Sequence, residues 1–135
     1  MRTLQIILLL VLFGCDSSTE STKTPKNMIN NVISLAEASG ILNICFESAE
    51  YENVSTEIAL ELFELDSRLG EIAQRISDHY EGNALFLTYE MARMDTSDNK
   101  DMQGYSKKKY GYCSETLLVD VKKYVEESER LFSGE

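Results

Sequence analysis

The sequence predicts an all-α fold, a small domain of four helices, and three observations carry that prediction. Ile58, Leu62, Leu65, Leu69, Ile72 and Ile76 alternate steps of four and three, the spacing of a helix with one buried seam. Met28, Val32, Leu35, Leu42 and Cys45 on one side of that run, and Leu117, Val121, Tyr124 and Val125 on the other, also recur at helical spacing. No partner strand is evident anywhere in the chain.

The N-terminus has a different layout. Arg2 gives a short basic start and Ile6 to Phe13 form an unbroken apolar block, far short of the roughly 20 residues a spanning helix needs. Residues 1–14 therefore read as a cleaved signal peptide. At its end, Leu12-Phe13-Gly14-Cys15 resembles the lipobox of bacterial lipoproteins, with an aliphatic residue three before the cysteine and a small residue just before it. Phe13 departs from the small or β-branched residue usual at that place. The resemblance implies that the Cys15 thiol takes a diacylglyceryl group, that the peptide is cut before it, and that the new amine is acylated, for example with palmitate. Several acyl chains, at about 0.8 kcal/mol per buried methylene, make such an anchor effectively permanent. In enteric members of that class an Asp after the cysteine marks retention in the inner membrane, and Asp16 stands there. An ordinary signal peptide with a chance cysteine is the plainer alternative.

With Cys15 assigned to lipid, two of the three cysteines remain, in an oxidising compartment beyond the signal peptide. A Cys45–Cys113 disulfide is expected, with two buried free thiols as the alternative. Residues 15–27, with the chain's one proline at Pro25, read as the lipidated cysteine and a flexible polar tether, and residues 28–135 as the helical domain.

The first helix is expected over 28–46, its stripe broadened by Ile29, Ile33, Ala36 and Phe46. Gly40 inside it costs about 1 kcal/mol relative to Ala and marks a bend or break. Glu47 to Asn53 breaks the pattern, and Asn53 or Ser55 can cap the second helix, with Glu57 in its first turn facing the positive end of the helix dipole. Beside the apolar seam run Glu57, Glu61, Glu64, Arg68, Glu71, Arg75 and Asp78, where Glu64 with Arg68 and Glu71 with Arg75 have the i to i+4 spacing of an ion pair. Such a face is ordinarily just solvated. Its first half is not neutralised, however: Glu47 to Asp66 holds seven acids and no base. Glu57, Glu61 and Glu64 are therefore candidates for contact with a basic partner.

Gly82-Asn83 stops the second helix. Ala84 to Met94 is nearly continuous in apolar residues, a length that leaves helix and strand both open; helix is preferred, because Ala, Leu and Met dominate it and β-branched residues are scarce. Phe86, Tyr89, Met91 and Met94 are expected to fill the core. Asp95 to Tyr112 reads as a long polar loop. Asp95, Ser97, Asn99 and Asp101 mimic alternating calcium ligands, but Lys100 stands where the calcium loop needs glycine and Ser106 where it needs a bidentate glutamate, so no metal is expected. Tyr105, Lys107, Lys108, Lys109, Tyr110 and Tyr112 interleave aromatics with a basic run. They either form a partner-binding surface or cover the disulfide while the lysines offset the acidic face. Ser114 caps the last helix, with Glu115 in its first turn and Leu131 or Phe132 closing its apolar face.

No enzyme is indicated. The single histidine, His79, reads as a helix-end or surface residue, and one histidine with two oxidised cysteines builds neither a Cys/His pair nor a zinc site. There is no glycine-rich phosphate loop and no cofactor is implied. The net charge of −10 disfavours nucleic acid and suits basic proteins. The expectation is an envelope lipoprotein outside the cytoplasm that binds another protein, as an inhibitor or immunity protein. Alternatively, the plan of lipid anchor, short tether and compact helical domain with one disulfide resembles the pilotin lipoproteins of type II secretion, which would make it an assembly factor. Asp16, read as retention in the inner membrane, speaks against that alternative.

Overall fold

The structure, a computed structural model, describes residues 25–80 and 83–132. The expected signal peptide, the lipobox-like stretch with Cys15, most of the expected tether and Gly82 lie outside the described residues. Those described form five α-helices and one short 3-10 helix, with no strand among them. The all-α class and the disulfide stand, and the count of four helices is corrected to five.

Helix α1, Lys26–Glu47, begins two residues ahead of the expected start, entered from Pro25. It is long and apolar enough by composition to cross a membrane. The reason lies in its position: it packs against α2 (Thr56–Tyr80), α3 (Ala84–Asp98) and α4 (Lys100–Tyr110), so apolar residues are needed around most of its girth. Val32, Leu35, Ala36, Leu42 and Cys45 are fully buried. The helix runs unbroken through Gly40. A Cβ there would lie 2.6 Å from the Thr96 Cβ and 2.9 Å from the Arg93 carbonyl oxygen, so the missing side chain is what lets α3 settle against α1.

The 3-10 helix Ala49–Asn53 turns the chain into α2. Ser55, not Asn53, caps α2, its hydroxyl accepting from the Ile58 amide at 3.2 Å. Leu62, Leu65, Leu69, Ile72 and Ile76 are buried as the spacing requires, and Ile58 is partly so. The two expected pairs within α2 do not form. Arg68 instead holds Glu129 of α5 (Glu115–Leu131) through two hydrogen bonds of 2.8 and 2.6 Å, and Arg75 donates to the Phe132 carbonyl at 2.8 Å. A planar guanidinium gains more from a forked contact to another helix than from a single contact along its own.

Helix α3 confirms the helical reading of 84–94 and runs on to Asp98. It lies antiparallel to α2: the Ser77 hydroxyl accepts from the Phe86 amide at 3.1 Å near its start, and Asp66 faces Arg93 further along. Leu85 and Tyr89 are buried and Phe86 partly so, but Met91 and Met94 are 67% and 56% exposed, which corrects their assignment to the core.

The expected loop over 95–112 is the larger correction. Residues 100–110 form α4, held by its ends and not by an apolar face. The Asn99 side chain accepts from the Met102 amide at 2.9 Å, and the Gln103 side chain donates to the Ser97 carbonyl at 2.9 Å. At the far end Gly111 takes a left-handed conformation, φ 58°, and the amides of Gly111 and Tyr112 return to the carbonyls of Lys107 and Ser106, a glycine-closed helix terminus. Lys107 to Lys109 sit in that last turn, where the helix dipole favours cations.

Helix α5 is capped by the Ser114 hydroxyl, which accepts from the Leu117 amide at 3.3 Å. It runs beside α2, with Lys122 near Glu61 and Arg68 on Glu129. Thus α1 and α2 form a central antiparallel pair, flanked by α3 and α5, with α4 crossing one end. That end is closed by the Cys45–Cys113 disulfide, Cα atoms 5.0 Å apart, which joins the last turn of α1 to the entrance of α5 across 68 residues.

Two glycine substitutions should act in opposite directions. Gly40→Ala should destabilise by about 1–3 kcal/mol through overpacking against Thr96, whereas Gly104→Ala, with open space around it inside α4, should stabilise by about 0.5–1 kcal/mol. Urea denaturation of the two variants checks both signs. Separately, the unfolded, unreduced mature domain should show no free thiol apart from Cys15, and reduction should cost about 4 kcal/mol on the chain-entropy model, read as a lower urea midpoint.

Candidate functional site

Three groups of side chains could carry function, and the structure distinguishes them. The first is a polar constellation where α1, α2 and α3 meet. The Ser39 hydroxyl donates to an Asp66 carboxylate oxygen at 2.5 Å and also reaches the Tyr89 hydroxyl, while Arg93 faces Asp66 and holds Glu90 at 2.8 Å. Burial pushes the Asp66 carboxyl above its ordinary value, an effect the Ser39 hydrogen bond and the Arg93 charge only partly offset. Burial likewise pushes the Tyr89 phenol up to about 12. Ser39 is 1% exposed and Tyr89 2%, so neither hydroxyl opens to solvent. The constellation joins three helices through satisfied polar groups.

The second group is the outer ridge of α2 with its neighbours. Glu57 and Glu64 are exposed, and Glu61 turns toward α5, 3.8 Å from the Lys122 ammonium. Among these acids stand Leu60 and Phe63, 65% and 60% exposed. Phe63 tilts against Phe46 with ring centroids 6.2 Å apart, and Phe46 meets Tyr51 edge to face at 5.1 Å. The Tyr51 hydroxyl donates to the Ala59 carbonyl at 3.4 Å, fixing the 3-10 helix onto α2. On α3, Leu87, Met91 and Met94 form an exposed stripe at i, i+4 and i+7. Five of the eight exposed large apolar side chains of the described residues therefore lie on α2 and α3, where Glu57, Glu64, Glu71, Asp95 and Asp98 are also exposed.

The third group, Tyr105 to Tyr112, is on a helix and its turn instead of a loop, and its members part company. Tyr110 is buried in the same core cluster as Cys45 and Cys113, its hydroxyl donating to Asp120 at 2.9 Å. Burial and that carboxylate push its phenol up to about 12. Lys109 lies 5.6 and 5.4 Å from the ring centres of Tyr105 and Tyr110, donates to the Tyr105 hydroxyl at 3.2 Å and sits 3.8 Å from Asp120. Tyr112 is part-buried with φ 71°. Only Tyr105, Lys107 and Lys108 remain exposed without a tertiary partner named above, so the contact surface expected here shrinks. The acidic ridge and this basic turn are not brought together: Glu61 and Lys109 each pair with a different residue of α5.

Of the mimicked calcium ligands, Asn99 caps α4 and the Ser97 hydroxyl accepts from Asn43 at 2.7 Å. Among the described residues no group of three His, Cys, Asp or Glu side chains is placed to hold a metal ion. His79 is exposed and meets Tyr80 edge to face. Cys15 lies outside the described residues. The exposed apolar face was the feature missed. Its signal was present in Leu60 and Phe63, which fall off the seam among glutamates, and in Leu87, Met91 and Met94, which share one side of α3. No family model matches this chain, and comparison with curated proteins and with solved structures finds no match either.

Asp66 generates a pH prediction. Its folded-state value is raised, so its favourable contribution is complete below the ordinary carboxylate value of 3.8 and is lost as pH rises through the shifted one. Glu129, held low by Arg68, has the opposite sign: its contribution is present above 4.5 and is lost on acidification. Asp66→Asn keeps an acceptor for Ser39 and should remove only the first slope. Urea midpoints at about pH 4 and about pH 7 should show the variant gaining on the parent as pH rises.

Proposed function

We propose that this chain is a lipoprotein of the bacterial envelope, anchored through Cys15, whose helical domain binds another protein without catalysis of its own. The observation that carries the reading is the exposed apolar side chains of α2 and α3, Leu60 with Phe63 and Leu87 with Met91 and Met94, set among exposed acids. A face that combines aromatic and methionine side chains with one sign of charge suits a partner with apolar residues in a basic surround. Its place in the fold supports the reading too. Leu60 and Phe63 lie toward the disulfide end, whereas the chain enters at Pro25 at the other end of α1. A 22-residue helix is about 33 Å long, so Leu60 and Phe63 stand clear of the tether.

Within this class an inhibitor or immunity protein is the first reading, with the acids of α2 closing a basic cleft on a toxin or an envelope hydrolase. The exposed stripe Leu87, Met91 and Met94 favours a second, a pilotin-like assembly factor that grips an apolar segment of a secretion component. Residence in the inner membrane, read from Asp16, fits the first better than the second.

The test is capture of the partner by a chain tagged at Glu135, followed by titration with variants. On the inhibitor reading, Glu57→Lys with Glu64→Lys should weaken binding at least about tenfold, and the parent should lose affinity as salt rises. On the assembly reading, Met91→Asp with Met94→Asp should weaken it by a similar factor and salt should matter little. Binding that survives both double variants sinks the proposal that this face is the site.

A further inference from the structure

We infer that the end of the bundle where the chain enters seats on the bilayer itself, through Met28 of α1, Tyr80 of α2, Leu131 at the end of α5 and Phe132 just beyond it; this rests on the Cys15 anchor proposed above. A cavity of about 630 Å³ opens at that end, and these four residues line it together with the buried Ile76 and with Arg75, Asp78 and His79. Leu131 is 73% exposed, the most exposed large apolar side chain of the described residues, while Met28, Tyr80 and Phe132 are partly buried at the edge of the core.

The tether names the occupant. Nine residues lie between Cys15 and Pro25, a span of at most about 35 Å when extended and about 18 Å as a flexible chain. Pro25 is three residues from Met28, so the apolar end is the part of the domain held nearest the membrane. A tether of that length gives an effective concentration in the millimolar range, so a surface too weak to hold a free domain on lipid is engaged once the chain is anchored. The composition suits an interface: aliphatic and aromatic bodies meet hydrocarbon, while the Tyr80 hydroxyl, the Arg75 guanidinium and His79 reach headgroups and water. Asp78 leaves the rim with little net positive charge, so the contact is made by apolar side chains and tolerates salt. Seating this end points the α2 and α3 face near Phe46 away from the membrane.

The test uses the mature chain, residues 15–135, with Cys45–Cys113 intact, so that Cys15 is the thiol available for coupling. It is joined to maleimide-headgroup lipid in vesicles of phosphatidylethanolamine and phosphatidylglycerol. The chain has no tryptophan, so Leu131→Trp provides a single reporter on an exposed side chain, and Val119→Trp, 58% exposed near the start of α5, provides the control. On coupling, the Leu131→Trp emission should shift to the blue and be quenched at least twofold by brominated lipid, with the control unchanged. Adding Met28→Asp, an acid in the first turn of α1 where the dipole favours it, should at least halve that quenching at a temperature where circular dichroism shows the variant folded. A reporter that stays unquenched, or a control quenched equally, overturns the seating. Coupling supplies the lipid chemically, so that failure leaves the anchor reading intact. A palmitate label that is absent in cells, or that persists in Cys15→Ser, would instead overturn the anchor and with it this occupant.

Discussion

The close approach of α3 to α1 at Gly40 sets the geometry on which the rest depends. Because no Cβ intervenes, Thr96 and the Arg93 carbonyl come within the space a side chain would fill. That closeness brings Ser39 to within reach of Tyr89 on α3, while its hydroxyl also donates to Asp66 on α2. A turn further on it brings Asn43 to Ser97, so that α3 ends against α1 and the chain can reverse into α4. Ser97 also presents its carbonyl to Gln103 of α4. One absent side chain thus allows a buried polar junction to be satisfied, and a buried polar junction is stabilising only when its members all find partners.

Where the arginines of α2 and α3 find partners decides the character of the surface of those two helices. Arg68 and Arg75 tie α2 to α5 and its end, Arg93 serves Glu90 and Asp66, and Lys109 is drawn over two tyrosine rings toward Asp120. Lys122 answers Glu61. What remains on α2 and α3 is negative charge around exposed leucine, phenylalanine and methionine. In a chain of net charge −10 this is a local consequence of where each arginine finds its best geometry, and not of composition alone.

Much of the fold could be read in advance where burial imposed a period. The seam of α2, the caps Ser55 and Ser114, the helicity of 84–94 and the pairing of Cys45 with Cys113 followed from spacing, hydroxyl placement and cysteine count. Helix α4 could not be read that way. Met102, Gly104, Ser106 and a run of lysines give it no apolar stripe, and it forms because Asn99 and Gly111 satisfy its ends while Tyr110 alone among its large side chains is buried. The arginine partners were misplaced for a related reason: i to i+4 spacing is visible in sequence, whereas a forked contact to Glu129, 61 residues away, is not. The same limit applies to Met91 and Met94. Their apolarity spoke for burial, but α3 has neighbours on two sides only, and its third side is left open.

The disulfide also fixes how tension would run through the domain. Helices α2, α3 and α4 all lie between Cys45 and Cys113, inside a covalent ring. A pull applied to any of them against the N-terminal end can travel back along the chain or round through the sulfur bridge, and both routes join at Cys45. From there to Pro25 the whole force passes along α1, the helix wrapped by the others, while α5 hangs outside the strained path. Such a connection resists by sliding a fully packed helix lengthwise out of its bed, the direction in which many contacts must fail together.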